Sequence, residues 1–266
     1  MDVPLIRVDL GPGVLAGFTT RVGGFTLSAT VGDAAAARAN RHALAAALGA
    51  PLAFAEQVHG ADVVAVTRAG LPADPLVPVG RGDALVTTEN VALGVLVADC
   101  VPVLLADPEA GVVAAVHAGR AGVVRGVVGR AVAAMVARGG RPDRVRAAVG
   151  PAVCGRCYEV GADLRAEVSA LVPAASATTS WGTPELDLPA AVLDQLAAAG
   201  VSRVTRTDRC TLEDDALFSH RGVARGRPAG RQAGVVVKSA PAPRVAAGPA
   251  GTRRSVGSGS SAPPSA

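Results

Sequence analysis

Cys100 and His117 occupy two neighbouring apolar runs within "ADCVPVLLADPEAGVVAAVHAG", residues 98–119. The "DPEAG" segment between the runs begins with Asp and then Pro, which is typical of a tight turn. The runs are therefore predicted to form a β-hairpin. A two-residue loop that pairs Asp107 with Ala110 places Cys100 directly opposite His117, with Cβ atoms about 4.5–5.5 Å apart.

A thiol and an imidazole this close can do two kinds of chemistry. They can ligate one soft or borderline metal ion, or the imidazole can deprotonate the thiol to give a nucleophile. The third interpretation is a purely structural one, because free cysteine is among the most buried residue types. A three-residue loop would shift the pairing by one position, and Pro102 favours a bulge in the first strand. The predicted hairpin alone therefore leaves the metal-site, nucleophile and structural interpretations open.

His59 adds a third group of the same kind. It lies in "EQVHGADVVAVT", in a polar segment just before another apolar run. Three protein ligands and one water form the usual layout of a catalytic zinc site, where the metal lowers the pKa of that water to about 7. The set contains no short ligand pair such as C-x-x-C or H-E-x-x-H, so its spacing alone is not diagnostic.

Composition narrows the class of protein. The chain has 266 residues, of which 50% are hydrophobic and only 2% aromatic, so its core consists mainly of Val, Leu and Ala. The net charge is +4, without a dense basic stripe or many aromatics, which argues against nucleic-acid binding. The start "MDVPLIRVDL" lacks the features of a signal peptide, and no uncharged apolar run is long enough for a bilayer. We therefore expect a cytoplasmic protein with no membrane partner, and four cysteines that serve metal binding or catalysis.

Strands and helices alternate along the chain without a strict βαβ period, which predicts a mixed α/β or α+β fold. The predicted helices run from 34 to 48, 122–140, 161–172 and 189–200, with Gly or Pro at several of their ends. The predicted strands are 61–67, 84–88, 91–100, 101–107, 111–117, 144–150, 201–207 and 233–238. We expect a single catalytic domain over 1–238 and a disordered Pro/Gly/Ser/Ala-rich tail over 239–266.

A series of short motifs resembles those of one family, both in their residues and in their order along the chain. They are "TTRVGG" (19–24), "QVHG" (57–60), "ADCVPVLLAD" (98–107), "VHAG" (116–119), "GP…CYEVG" (150–161), "LDL" (186–188), "DRCT" (208–211), "LFSHR" (217–221) and "GRQAG" (230–234). The chain resembles the bacterial laccase-domain or "polyphenol oxidase" family, also described as purine nucleoside phosphorylase-like and peptidoglycan editing factor-like. The resemblance covers roughly residues 15–238.

The resemblance implies a four-layer α/β/β/α sandwich of the laccase-domain or cysteine-hydrolase-like type. It implies that His59, Cys100 and His117 are the metal ligands and catalytic residues, with zinc as the metal and copper less favoured. It implies phosphorolysis of adenosine, inosine or methylthioadenosine, or deamination of adenosine, with nucleoside and phosphate as small-molecule partners. We expect a monomer or a weak dimer.

Four further residues are predicted to bind substrate: Arg21, Asn40 and Arg221, which match family positions, and Arg120, which does not. The alternatives are loop and helix-cap hydrogen bonds for the first two and a structural ion pair for Arg221. At "HAGRAG", Arg120 and Ala121 stand where the family often has Trp and Arg, and the segment after the second glycine of "TTRVGG" is shorter than usual.

Other functions compete with the metalloenzyme. One is a metal-free Cys–His hydrolase that edits peptidoglycan precursors, and another is a non-catalytic binding module. Multicopper oxidase chemistry is disfavoured because such enzymes need many histidines and this chain has 4.

Three more features carry weaker signals. Asp99 could orient a metal ligand. Cys154 and Cys157 form a C-x-x-C, a pattern typical of redox or zinc sites. Because no second cysteine pair lies nearby in the sequence, we interpret these two as structural, and Cys210 as buried.

Overall fold

The computed structural model describes residues 3–239. Within this range there are thirteen strands and six α-helices. The strands are β1 Leu5–Val8, β2 Val14–Thr19, β3 Leu52–Phe54, β4 Val63–Ala65, β5 Ala84–Thr87, β6 Ala92–Val97, β7 Val101–Asp107, β8 Val112–Ala118, β9 Arg146–Val149, β10 Ser176–Thr178, β11 Pro184–Leu186, β12 Arg203–Arg206 and β13 Gln232–Lys238. The helices are α1 Ala34–Leu48, α2 Arg120–Val124, α3 Val127–Val136, α4 Ala162–Leu171, α5 Leu188–Ala198 and α6 His220–Val223.

Two large mixed sheets form the centre of the molecule. The five-stranded sheet has the order β1-β2-β13-β6-β3, and the six-stranded sheet has the order β12-β9-β7-β8-β5-β4. Side chains alternate across β7, so that Leu104 and Ala106 point into the core between the sheets, while Val103 and Leu105 point to the opposite face. Every residue of β7 and β8 is buried, because both faces of these strands are covered.

Helices cover the outer face of each sheet. On the five-stranded sheet, α1 packs through Leu44 and Leu48 against Val235 of β13. On the six-stranded sheet, α3 and α5 pack through residues such as Val132 and Leu196. The order of layers is therefore α/β/β/α, which confirms the predicted fold class. No helix among the described residues is both long and apolar enough to cross a bilayer.

The β7–β8 hairpin forms, but in a different register from the predicted one. His117 lies opposite Pro102, and Asp107 lies opposite Val112, so the connection is 108–111. The Asp107 side chain closes this longer turn by accepting hydrogen bonds from the backbone N–H groups of residues 109 and 110, each at 3.1 Å. The predicted direct pairing of Cys100 with His117 is wrong, because Cys100 precedes β7.

Pro102 also differs from its prediction, since it lies in an unbroken register within β7 rather than at a bulge. The ladder between β7 and β9 begins only at Val103, so the missing N–H of the proline interrupts no pairing there. Its carbonyl accepts a hydrogen bond from the N–H of Gly150 at 2.9 Å.

Several predicted elements change their limits. The helix predicted over 122–140 is divided into α2 and α3, because Gly126 adopts a left-handed conformation with φ 71°. Five strands, β1, β2, β3, β10 and β11, have no counterpart among the predicted strands. The predicted tail lies outside the described residues apart from Ser239, whose N–H donates to the Gly13 carbonyl at 2.8 Å.

Candidate active site

Three separate segments bring His59, Cys100 and His117 together. Their metal-ligating atoms all lie within 4.8 Å of one another. The Cys100 Sγ is 3.8 Å from His59 Nε2, and the two imidazole rings meet edge to face with centroids 4.8 Å apart. His117 is buried, Cys100 is half-buried and His59 is exposed. We refer to these residues as the triad.

Two unusual backbone conformations aim the side chains of the triad. His59 has φ 57° and Asp99 has φ 88°, and no other non-glycine residue in the described range has a positive φ. Side chains disfavour this left-handed region, so it persists only where the surroundings enforce it. At Asp99 it turns the chain sharply between β6 and β7, which places Cys100 at the end of the hairpin beside His117.

Gly119 leaves room for the triad to close. A Cβ atom at this position would lie 2.6 Å from His59 Cδ2 and 3.3 Å from Cys100 Sγ. Its φ of −78° is one that any residue can adopt, so the requirement for glycine here is steric. The glycine of "VHAG" therefore belongs to the site.

Asp83 is the residue that the sequence analysis missed. Its fully buried carboxylate lies 2.7 Å from His117 Nδ1 and accepts the backbone N–H groups of Val58, His59 and Gly60 at 3.2, 3.0 and 2.6 Å. An Nδ1–H that donates to the carboxylate leaves the lone pair of the imidazole on Nε2, which is the arrangement of a metal-ligating histidine. Asp83 therefore orients two members of the triad.

The contact between Asp83 and His117 follows from the pairing of strands β5 and β8. Ala84 of β5 is opposite Val116 of β8, so Asp83 and His117 are neighbours at the end of that ladder. The spacing of these two residues in the sequence does not predict the contact, because the contact depends on which strand pairs with β8.

Without a metal, two residues of the triad, Cys100 and His117, have strongly shifted pKa values. Burial raises the pKa of Cys100, but hydrogen bonds with His117 and His59 outweigh burial and bring that pKa to about 6. Burial lowers the pKa of His117, but the bonds to Asp83 and Cys100 outweigh it and raise that pKa to about 9. The site therefore favours a thiolate beside an imidazolium, and thiolate is the form of cysteine that binds metals.

Asp99 does not contact a side chain of the triad. Its carboxylate accepts the Thr211 hydroxyl at 2.7 Å and the backbone N–H of Arg221 at 2.8 Å. Its own carbonyl accepts the N–H of Val153 at 3.0 Å. Asp99 therefore fixes the backbone next to Cys100, rather than orienting a ligand directly as the sequence suggested.

The triad lines a cavity of about 730 Å³, which is in the range of small-molecule sites. Its apolar wall includes Val153, Leu188 and the ring of Tyr158. Its polar wall carries arginines at four positions, which are Arg41, Arg120, Arg221 and Arg231, and also Ser28, Thr30, Glu56 and His220.

These arginines differ in their freedom to bind a ligand. Arg41 is 4% exposed, stacks on Phe54 at 4.2 Å and donates to the carbonyls of Leu27 and Pro75, so it supports the wall. Among the described residues, the Arg120 and Arg221 side chains have no carboxylate partner, and Arg221 lies over the Tyr158 ring at 4.5 Å. The cavity thus offers positive charge next to an aromatic face, which suits an anion together with a flat ring.

Arg21 and Asn40 lie outside the lining of this cavity. The Arg21 guanidinium donates to the carbonyl of Asp215, and the Asn40 amide donates to the carbonyl of Thr26 at 2.9 Å. The structure brings Arg120 and Arg221 to the triad, but not these two residues. These hydrogen bonds join the Arg21 segment to the loop at Asp215 and helix α1 to the loop at Thr26.

The donor set fits one transition-metal ion. Two imidazoles and a thiolate are ligands that suit zinc and copper. Three protein ligands would leave a further coordination position for water or substrate, as in catalytic metal sites. Fold and site together define a mixed α/β protein with a candidate His/Cys/His metal centre in a cavity of small-molecule size.

The chain belongs to the family described as "Multi-copper polyphenol oxidoreductase laccase", whose model matches residues 15–239. A protein named purine nucleoside phosphorylase from Streptomyces coelicolor is 49% identical over 241 residues, covering 86% of this chain and 97% of that protein. A protein named adenosine deaminase from an unknown prokaryotic organism is 37% identical over 158 residues, covering 54% of this chain and 59% of that protein. A solved structure from Neisseria meningitidis has a TM-score of 0.77 at 30% identity and covers 89% of this chain and 100% of its own.

Proposed function

We propose that this protein is a zinc-dependent enzyme that phosphorolyses purine nucleosides, with His59, Cys100 and His117 as the metal ligands. The observation that carries the proposal is the position of the triad in a cavity whose wall also presents Arg120 and Arg221 without carboxylate partners. The relative named purine nucleoside phosphorylase supports the same reaction.

Phosphorolysis needs an anion site and a base site side by side. A phosphate oxygen attacks the anomeric carbon of the sugar, and the bond from that carbon to the purine nitrogen breaks. Arg120 and Arg221 would hold the phosphate through charge-assisted hydrogen bonds. Tyr158, Val153 and Leu188 would pack against the purine, and burial against these side chains would exclude water.

Asp83 would keep His117 in the tautomer that binds metal, by holding its Nδ1–H. When bound, zinc would supply Lewis acidity to an oxygen atom of the substrate or water. The triad matches the usual catalytic zinc layout of three protein ligands and one open position, whereas its two histidines are too few for a multicopper centre.

Deamination of adenosine is the second candidate, supported by the relative named adenosine deaminase. It requires no anion, so the arginine-lined wall favours phosphorolysis. The Cys–His hydrolase remains an outcome of the test, because Cys100 Sγ contacts His59 Nε2 at 3.8 Å and could act without metal.

The test measures metal content and the products formed from adenosine, inosine and methylthioadenosine, with and without phosphate. Free base and a sugar phosphate, formed only when phosphate is present, would support phosphorolysis; inosine formed from adenosine without phosphate would indicate deamination. His59→Ala should lose the metal of the triad and turnover together. Turnover in fully chelated wild type would instead point to thiol chemistry.

Arg221→Ala tests the anion site. We expect the KM for phosphate to rise about tenfold or more, since a charge-assisted hydrogen bond contributes about 1.5–3 kcal/mol. Arg130→Ala is the matched control, because Arg130 is exposed on α3 and does not line the cavity. An unchanged KM for phosphate in Arg221→Ala would remove this residue from the proposed site.

A further inference from the structure

A second cluster of metal-ligating side chains lies apart from the triad and shares no residue with it. Cys154, Cys157, Cys210 and Glu213 each offer one donor atom, and these atoms all lie within 4.8 Å of one another. All three cysteines are free thiols. We refer to these four residues as the thiol cluster.

Parallel strand pairing brings the thiol cluster together. Strands β9 and β12 are parallel neighbours, with Val149 opposite Arg206 at their carboxyl ends. An isolated bridge between Ala152 and Cys210 continues the pairing into the two loops that follow. The C-x-x-C of one loop therefore meets the third cysteine from the other, although the two are far apart in sequence.

The backbone around the sulfur atoms is arranged as in a ligand loop. The N–H groups of Cys157 and Tyr158 donate to the Cys154 carbonyl at 3.0 and 3.2 Å, which folds the C-x-x-C into a tight turn. The Cys154 N–H donates to the Cys210 Sγ at 3.4 Å. This hydrogen bond holds the Cys210 sulfur against the backbone of the C-x-x-C turn.

We propose that Cys154, Cys157, Cys210 and Glu213 bind one Zn²⁺ ion in a structural site separate from the triad. Zinc prefers four ligands in a tetrahedron, with sulfur at about 2.3 Å, so its ligand sulfurs are about 3.8 Å apart. The spacing of the thiol cluster is compatible with that arrangement after small side-chain shifts. Three thiolates select a soft or borderline ion over magnesium or calcium.

Charge around the thiol cluster is also suitable. Arg156, which lies between the two cysteines of the C-x-x-C, has its guanidinium 3.8 Å from Glu213. The guanidinium would offset the negative charge that remains when three thiolates and a carboxylate surround one Zn²⁺.

The site would stabilise the loops that hold the active site. Val153 and Thr211, each next to a cysteine of the thiol cluster, both hydrogen-bond to Asp99, the residue before Cys100. Tyr158 follows Cys157 directly and lines the cavity. A metal at the thiol cluster would therefore act as a positioning element for the cavity wall and not as a catalytic ion.

The experiment measures zinc per chain in the full-length protein purified under reducing conditions, in wild type and in His59→Ala. We expect about two zinc ions in wild type and about one in His59→Ala, since that variant disables only the triad. Loading His59→Ala with Co²⁺ should give thiolate-to-cobalt charge-transfer absorption, which should disappear in a His59→Ala/Cys154→Ser double variant. These measurements do not depend on turnover, so they test the second zinc site independently of the proposed function.

Alkylation of His59→Ala avoids any folding defect of a cysteine variant. The three cysteines of the thiol cluster should resist iodoacetamide with zinc and react after chelation, as read by peptide mass spectrometry. Glu213→Gln should weaken zinc binding there by at least about tenfold. The proposal would be overturned if His59→Ala held no metal and its cysteines alkylated equally with and without zinc. A peptide mass lower by two hydrogens, caused by a disulfide between Cys154 and Cys157, would also overturn the zinc-site proposal and would indicate a redox pair.

Discussion

Replacing Asp83 with Asn tests whether this buried carboxylate orients the triad. The Oδ2 atom accepts the N–H groups of Val58 and Gly60, while Oδ1 accepts the N–H of His59 and faces His117 Nδ1. An asparagine has only one acceptor oxygen, so its NH₂ group must replace one of these atoms. In one orientation two backbone N–H groups lose their acceptor; in the other His117 is forced into the tautomer that carries hydrogen on Nε2.

The size of both effects follows from the buried hydrogen bonds. A buried donor left without a partner costs about 1–3 kcal/mol, so the loss of two acceptor contacts in Asp83→Asn should lower the free energy of unfolding of the metal-free protein by about 2–6 kcal/mol. Loss of a carboxylate that supports a metal-ligating histidine typically costs 10–100-fold in affinity, so the Kd for zinc at the triad should rise by about that factor. Urea unfolding followed by circular dichroism measures the first quantity, and competition with a chromophoric chelator measures the second.

Asp107→Asn is the matched control. Asp107 is equally buried and also accepts several N–H donors, but it lies at the opposite end of the β7–β8 hairpin. Its substitution should cost similar stability and leave the zinc affinity of the triad unchanged. If both variants bound zinc as wild type does, or if both lost affinity equally, the orienting role of Asp83 would be refuted.

Three other substitutions test particular contacts. Gly119→Ala should weaken metal binding about 10–100-fold, because its Cβ would lie 2.6 Å from a triad imidazole; Gly129→Ala, whose Cβ meets nothing within 4 Å, should leave a chelator titration unchanged. Glu185 is fully buried without hydrogen-bond partners in the described range, and burial together with a neighbouring carboxylate raises its pKa to about 7. The protonated carboxyl of Glu185 stabilises the folded state fully below its unfolded pKa of about 4.3, and this stability is lost as the pH rises to about 7. In urea titrations, Glu185→Gln should therefore raise the free energy of unfolding by up to about 3 kcal/mol at pH 8 and leave it unchanged at pH 4. Arg41→Lys should cost about 2 kcal/mol, because lysine cannot serve both carbonyls and stack on the ring, whereas the exposed Arg38→Lys should leave the melting temperature unchanged.

Local sequence signals predicted α1, α4 and α5 to within two residues at each end, but missed the break between α2 and α3. Asp33 caps the start of α1 by accepting the Ala35 N–H, and Gly49 ends that helix with φ 66°. Asp187 caps α5 in the same way, with a proline in its first turn. Such signals succeed because capping and turn chemistry depend on residues only a few positions apart.

The register error in the hairpin did not change its chemistry. The residue opposite His117 is Pro102 instead of Cys100, which is a shift of two positions. Cys100 itself lies just before β7, so strand alternation does not place it. The positive φ of Asp99 turns the chain there and brings Cys100 beside His117.

What the sequence determined by itself was the set of reactive residues and the local elements that carry them. The resemblance of its motifs then gave the fold class, which the structure confirms. The tertiary structure decided the partners of those residues: Asp83 beside His117, and Cys210 beside the C-x-x-C. Each of these contacts joins strands or loops distant in sequence, and their pairing is selected by the packing of two whole sheets, which no local pattern records.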